Sequence, residues 1–354
     1  MTRERAERTA WILGGLGVLG CVIGWIVTPL FPHAWLAAFI FWMGWPLGSM
    51  ALLLIHSTTG GRWGYAIRPQ LVMGVATLPL VLLVILPLLF VLKPLYPWAR
   101  PDVAAELGNT AYLNVPFVCG RAVLYLLIWL GLAALILRAL RRDEPDPSLY
   151  RLAPAGLILL MLTVTYGGFD SSLSLDPHFN SSIYGMILAG EGVLFALAVA
   201  TLLTLLIAPP MPSVTQDLGR LMLALVLLWG YFEFMQLLIV WNSDLAADAP
   251  WYVARVAHGW GIVAGIIFVV HFLVPFLLLI WPQVQRSHRA MLVISAMIIA
   301  AEVLRRWWLV VPAAEHALSW VDVCAMFALG GFGAGLGLRA VRLPMLARAV
   351  RQHG

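Results

Sequence analysis

Charge is what this sequence has least of. Only 11% of its 354 residues are charged, against about 25% in an ordinary soluble domain. Cysteine is scarce too. Cys21, Cys119 and Cys324 all fall inside apolar runs, and no CxxC, CxxCH or Cys/His cluster is present. No iron–sulfur, attached haem c or zinc site is therefore readable on this chain. There is no GxxxxGK[ST], so Gly60, Gly61 and Gly64 are not a phosphate-binding loop and read instead as a tight turn. We find no soluble domain and no strong internal repeat. No small-residue cleavage site follows the apolar run after "MTRERAERTA", so that run reads as an uncleaved first helix. The net charge of +5 comes from arginines in short loops and does not call for a nucleic-acid partner.

What is there is hydrophobic: 62% of the residues, in runs that recur along the whole chain. Each run reaches the roughly 18 residues that can cross a bilayer. A barrel strand would alternate apolar and polar residues. These runs are apolar all round, so helices are expected. The reading is an all-α polytopic membrane protein, a single integral membrane domain over 1–354. Ten spans are expected, at about 10–30, 34–56, 70–93, 113–138, 152–168, 183–208, 217–243, 259–281, 290–312 and 318–340. With the N-terminus inside, sixteen arginines fall in inner segments. Only Lys93, Arg100, Arg255, Arg305 and Arg306 fall in outer ones. The positive-inside rule then places both termini in the cytoplasm. It puts the polar stretch "GGFDSSLSLDPHFNSSIYG" (167–185) on the outer, periplasmic side. Pro46, Pro79, Pro87, Pro116, Pro154 and Pro275 are expected to interrupt spans. Gly331/Gly335 and Gly333/Gly337, at four-residue spacing, predict close helix packing.

Ionisable groups inside a bilayer are costly and face the protein interior, so each is a candidate site. Arg121 and Glu191 each lie roughly 12 Å from the outer ends of their spans, and Glu233 roughly 15 Å. One base and two acids thus share a depth, either as a structural ion pair or as proton-carrying groups. His271 and Glu302 both come out near the midplane and are expected to pair. His56 ends the second span beside "STTGGRWG". Its depth differs from that of His271, which speaks against joint haem ligation by the two. The outer stretch adds Asp170, Asp176 and His178, and a proton path would run from Glu191 and Glu233 through them.

Seven stretches together resemble one family. They are "LLIHSTTGGRWG" (53–64), "LYPWA" (95–99), "YLNVPF" with Arg121 (112–121), "YGGFDSSLSLDPHFNSSIYG" (166–185), "LWGYFEFMQLLIVW" (228–241), "PWYVARVAHGW" (250–260) and "HFLVPFLLL" (271–279). In order and spacing they resemble the ActF-type, NrfD-like membrane subunits of alternative complex III, a bacterial quinol:cytochrome c oxidoreductase. The stretch at 166–185 is the most specific. The resemblance implies ten helices in two four-helix bundles, NrfD/PsrC-like, built from spans two to five and six to nine. It implies a non-catalytic subunit that holds no redox cofactor. Its partners would be a paralogous NrfD-like membrane subunit, a periplasmic iron–sulfur subunit and a multihaem cytochrome c. Quinol would bind at a partner or nearby. Two places depart from the pattern. Ser57 stands where the family often has a second histidine. Glu302 and Arg305 exchange the usual signs, which still allows an i, i+3 ion pair. The alternatives are a quinone-binding subunit of such a complex and a stand-alone transporter or scaffold. The missing internal repeat counts against transport.

Overall fold

The structure, a computed structural model, describes residues 3–105, 107, 109–140, 147–242 and 248–340. It is all-helical, with no strand among the described residues. The main helices are α1 (Arg3–Val27), α2 (Phe31–Thr59), α3 (Arg62–Ala76), α4 (Val115–Ala139), α5 (Pro147–Ser171), α6 (Tyr184–Ile207) and α7 (Pro212–Asn242). α8 is a composite of Trp260–Ile267, a π-helical Phe268–Leu273 and Val274–Leu279. α9 (His288–Val310) and α10 (Trp320–Ala340) complete the set. Nine helices among the described residues are long and apolar enough to cross a membrane. α9 is not among them, because it carries Arg289, Glu302, Arg305 and Arg306. Its 23 residues would nevertheless span roughly 35 Å. This is the architecture of a polytopic helical membrane protein.

Several boundaries differ from the expected ones. The third span begins at Arg62 rather than at 70, leaving only two residues between α2 and α3. Gly60 (φ 68°) and Gly61 (φ 105°) make so short a turn possible, since both occupy positive φ. The Gly60 N–H bonds back to His56 O at 2.8 Å, and His56 Nε2 lies 3.0 Å from Gly61 O. Past α3 the third span is not one helix. It breaks into short turns at Leu78–Leu80, Val81–Val84 and Leu86–Phe90, the first and last with proline near their start. Pro116 does not interrupt α4 but opens it, where its missing N–H is harmless. The Asn114 side chain caps that start by accepting from Phe117 N at 3.0 Å. Pro46 and Pro154 sit inside unbroken helices. Five arginines counted on the inner side, Arg141, Arg142, Arg342, Arg348 and Arg351, lie outside the described residues.

Small residues set the helix contacts. Both glycine pairs of α10 are used, on different faces. A Cβ on Gly331 or Gly335 would press on Gly14 or Trp11 of α1, and one on Gly333 or Gly337 on Trp42 or Trp45 of α2. At the centre α2 crosses α6 so closely that a Cβ on Gly48 would collide with the Gly192 carbonyl. α2 is the most buried helix, whereas α1, α7 and α8 keep most of their apolar surface on the outside.

Candidate functional site

The helices α6 to α9 meet around a continuous array of charges. Glu191 of α6 is fully buried and is its hub. Its Oε1 accepts from Arg305 Nε at 2.8 Å and from Trp229 Nε1 of α7 at 2.9 Å. Its Oε2 accepts from Arg306. Arg306 turns its other nitrogen to Glu302 Oε2, one helical turn back, at 2.9 Å. The second oxygen of Glu302 lies 3.1 Å from His271 Nε2 on α8. Arg305 reaches the opposite way, to Glu233 of α7. The order in space is therefore Glu233, Arg305, Glu191, Arg306, Glu302, His271. Only Glu233 has notable exposure, at 22% of its side chain.

Local sequence explains how His271 reaches the array. Pro275 has no N–H to offer the His271 carbonyl, and a regular helix would drive its ring into that carbonyl. The turn before it opens into π-helix, with the Val274 N–H bonding to Val269 O. Such single-turn widenings are frequent at functional sites. The Trp229 indole stands perpendicular to the His271 ring, with centroids 4.3 Å apart. One tryptophan thus touches both Glu191 and His271.

A second charged site lies apart from the first. Arg121 of α4 grips Asp170 of α5 with Nε (2.9 Å) and Nη2 (2.7 Å). Tyr125 donates to the same carboxylate at 3.1 Å. The guanidinium also lies 3.7 Å from the Tyr112 ring centroid and donates to Tyr112 O. Beside Asp170 opens a cavity of about 480 Å³ between α2, α4, α5 and α6, walled by residues such as Leu36, Ile40, Trp129 and Val193 and touched by Arg306 at its edge.

The stretch at 167–185 begins as the last turn of α5 and ends as the first of α6. Its serines close backbone ends. Ser172 and Ser174 donate to Gly168 O and Asp170 O, and Tyr184 donates to Ser172 Oγ at 2.7 Å. Asp176 accepts from the His178 N–H, and the His178 ring is exposed. Phe179 stacks on Trp251 at 4.5 Å, and Asn180 N–H donates to Asp248. Ser181 donates to Gln236, which donates to the Tyr252 hydroxyl, one turn beyond Glu233 on α7. Arg255 is buried here too. It is held by the carbonyls of Trp251 and Leu309, and burial pulls its guanidinium down to about 9.

Three expectations need correction. Arg121 shares a depth with Glu191 and Glu233 but pairs with Asp170, because it sits on α4 and faces α5. Among the described residues no hydrogen bond or ion pair joins Asp170, Asp176 or His178 to the array. Glu302 pairs with Arg306 at i, i+4 and not with Arg305, which lies about 60° round α9 on the other side of Glu302 and faces Glu191 and Glu233. Arg305 and Arg306, counted as outer-segment charges, are both buried in the array. Sequence reasoning missed Trp229, Gln236 and Tyr252 as site members, and gave Arg306 no role. The available signal was Glu191 itself: a fully buried carboxylate needs cations, and the adjacent arginines at 305 and 306 are the pair within the spans that remains once Arg121 is taken. Compared with known proteins, the chain matches no family model and no curated protein sequence.

Proposed function

We propose that this chain is a membrane subunit of a quinol-oxidising respiratory complex, of the alternative complex III kind whose motifs it resembles. It would hold no redox centre of its own, and its buried charges would tie α6 to α9 together and exchange protons. In this reading α9 is a tenth span, both termini are cytoplasmic, and α2–α5 and α6–α9 form two four-helix bundles in a bacterial inner membrane. Iron–sulfur clusters and haem c would belong to the periplasmic partners, beside a paralogous membrane subunit. The observation that carries the reading is the six-residue array. Three carboxylates kept inside a membrane protein call for a purpose beyond packing. The outer surface over it, with Ser181, Gln236 and Tyr252, supplies polar steps from Glu233 toward the loop at 167–185. The test is affinity purification of the chain from its native membrane with identification of what comes with it. Multihaem cytochrome and iron–sulfur subunits are expected; purification as a lone protein or with unrelated partners would sink the reading. In the complex, Glu191→Gln should lower proton release per electron.

One observation favours a second role, quinone binding by this chain. The cavity beside Asp170 is apolar and large, with the Asp170 carboxylate and the Tyr125 side chain in its wall, which is how pockets hold ligands with a greasy tail and a polar head. A quinone analogue should then bind the purified chain and be lost on filling the cavity with Gly190→Leu.

A further inference from the structure

Exposed aromatic residues mark two levels on this molecule. Among the described residues, the exposed tryptophans Trp25, Trp241, Trp281 and Trp320 lie at or just past helix ends, and the exposed tyrosines Tyr65, Tyr150 and Tyr166 lie within two turns of one. Amphipathic rings gather in this way at the two faces of a bilayer. Tyr231 breaks the pattern. It is 56% exposed and sits deep within α7. Exposed Arg220 and exposed Trp241 stand toward the two ends of that helix. Tyr231 lies roughly 16 Å along the axis from the first and roughly 15 Å from the second. Together these lengths match the roughly 30 Å of a bilayer's hydrocarbon core. Tyr231 therefore falls at the midplane, whichever end of α7 is outside.

A phenol at that depth has no good solution in lipid. Its ring leans on Phe232, with centroids 5.8 Å apart, and among the described residues its hydroxyl meets no hydrogen-bond partner. Acyl chains supply no acceptor, and a polar group left unbonded in hydrocarbon is costly. The headgroups lie too far away for the side chain to lean up to them. The array gives no relief either. Trp229 and Glu233, two positions before and after, leave α7 about 160° away and face the array. The exposed neighbours of Tyr231 are Ala224, Leu227, Leu228 and Phe234, all apolar. They make a strip about three turns long with the one hydroxyl inside it.

We propose that this back face of α7 is a docking surface for a transmembrane helix of another chain, which brings a hydrogen-bond acceptor to the midplane for Tyr231. Suitable acceptors are a side-chain oxygen of Ser, Thr, Asn or Gln, or a carbonyl freed by proline. A second copy of this chain fits less well. A two-fold pair sets Tyr231 against Tyr231. Two hydroxyls facing each other share one hydrogen bond and leave one donor unused. The inference rests on the subunit reading above, in that a membrane partner exists, and it adds the face on which that partner sits. The seated helix presses on the back of the helix that carries Trp229 and Glu233, so α7 is held between the partner and the array.

The test puts photoreactive benzoylphenylalanine at position 231 of the full chain in its native membrane. Irradiation should join it to a different protein, and mass spectrometry should map the joined residue to the middle of an apolar segment of about 20 residues. Tyr231→Phe keeps the ring and removes only the hydroxyl. It should make that same protein leave the purified complex about threefold faster, the effect of one interhelical hydrogen bond. Adducts with lipid alone overturn the proposal, as does a crosslink to a second copy of this chain, or a dissociation rate that Tyr231→Phe leaves unchanged. The two readings fail separately. Lipid adducts from a membrane in which a multihaem cytochrome still co-purifies would sink this docking face and keep the subunit reading. A mapped helix from a protein outside respiration would do the reverse.

Discussion

Arg121–Asp170 and the array around Glu191 are both buried ion-pair sites, and they are built on opposite plans. The first is one cation and one anion, matched fork to fork, with a tyrosine hydroxyl and an aromatic face filling the remaining directions. It is closed in charge and geometry. The second strings six ionisable groups across four helices, alternates the signs of its glutamates and arginines, and ends on a histidine. Its hub, Glu191, is held from three sides, and its far end, Glu233, is part exposed. A closed pair is suited to fixing two helices. A run of linked acids and a histidine offers proton carriers in series, which is why the proposed proton handling is placed there and not at Asp170.

Breaking the hub should show the largest effect. Glu191→Ala leaves two guanidiniums short of a partner in the core, and should destabilise the protein by about 3–5 kcal/mol, read as a lower unfolding midpoint in mild detergent. A loss below about 1 kcal/mol would mean that the array is not holding α6 to α9. Asp170→Asn breaks the closed pair and should come next, at about 2–3 kcal/mol. Replacing both of its members, Arg121→Met with Asp170→Leu, should return most of that loss, because a buried pair and an apolar replacement are often of similar stability. Glu233→Gln separates the two plans most cleanly. It removes the carboxylate at the array's more exposed end, so the change should stay within about 1 kcal/mol in either direction. A loss as large as that of Asp170→Asn would show that Glu233 holds Arg305 as firmly as Asp170 holds Arg121. The smallest effect is expected at the surface, where Asp217→Asn frees Arg62 and Arg220, both largely exposed. There about 0.5 kcal/mol or less should be lost.

How much of this was legible in the sequence depends on which coordinate a residue reports. Uninterrupted apolar runs give helices and their approximate ends, because lipid leaves the backbone no other arrangement. The third span went wrong where polar and imino residues intrude. Arg62 and Arg68 disguise the start of α3, and Pro79 and Pro87 divide what reads as one run. Within the site, position along a helix gives depth but not direction. His271 and Glu302 share a depth and do bond; Arg121 and Glu191 share one and do not. The direction in which a side chain leaves its helix depends on how the helices are packed, and that was not written in any one span. The π-helical turn is an intermediate case. Pro275 announces a fault in α8, but only the fold shows that the fault is a widening and that it carries His271.

The glycine faces of α10 set a problem of timing. α1 packs almost wholly on α10, and touches α2 mainly where Trp25 stacks on Phe31 at 4.9 Å. Yet roughly three hundred residues of chain separate the two helices, which at about 5–20 residues per second takes the ribosome some 15–60 s. For that interval α1 lacks the helix against which its ridge of Gly14, Gly17 and Gly20 packs. The helix made early is thus fastened by one made late, and α10 works as the clasp of the fold. A chain ending before residue 320 would keep every member of the Glu191 array and leave α1 without its clasp.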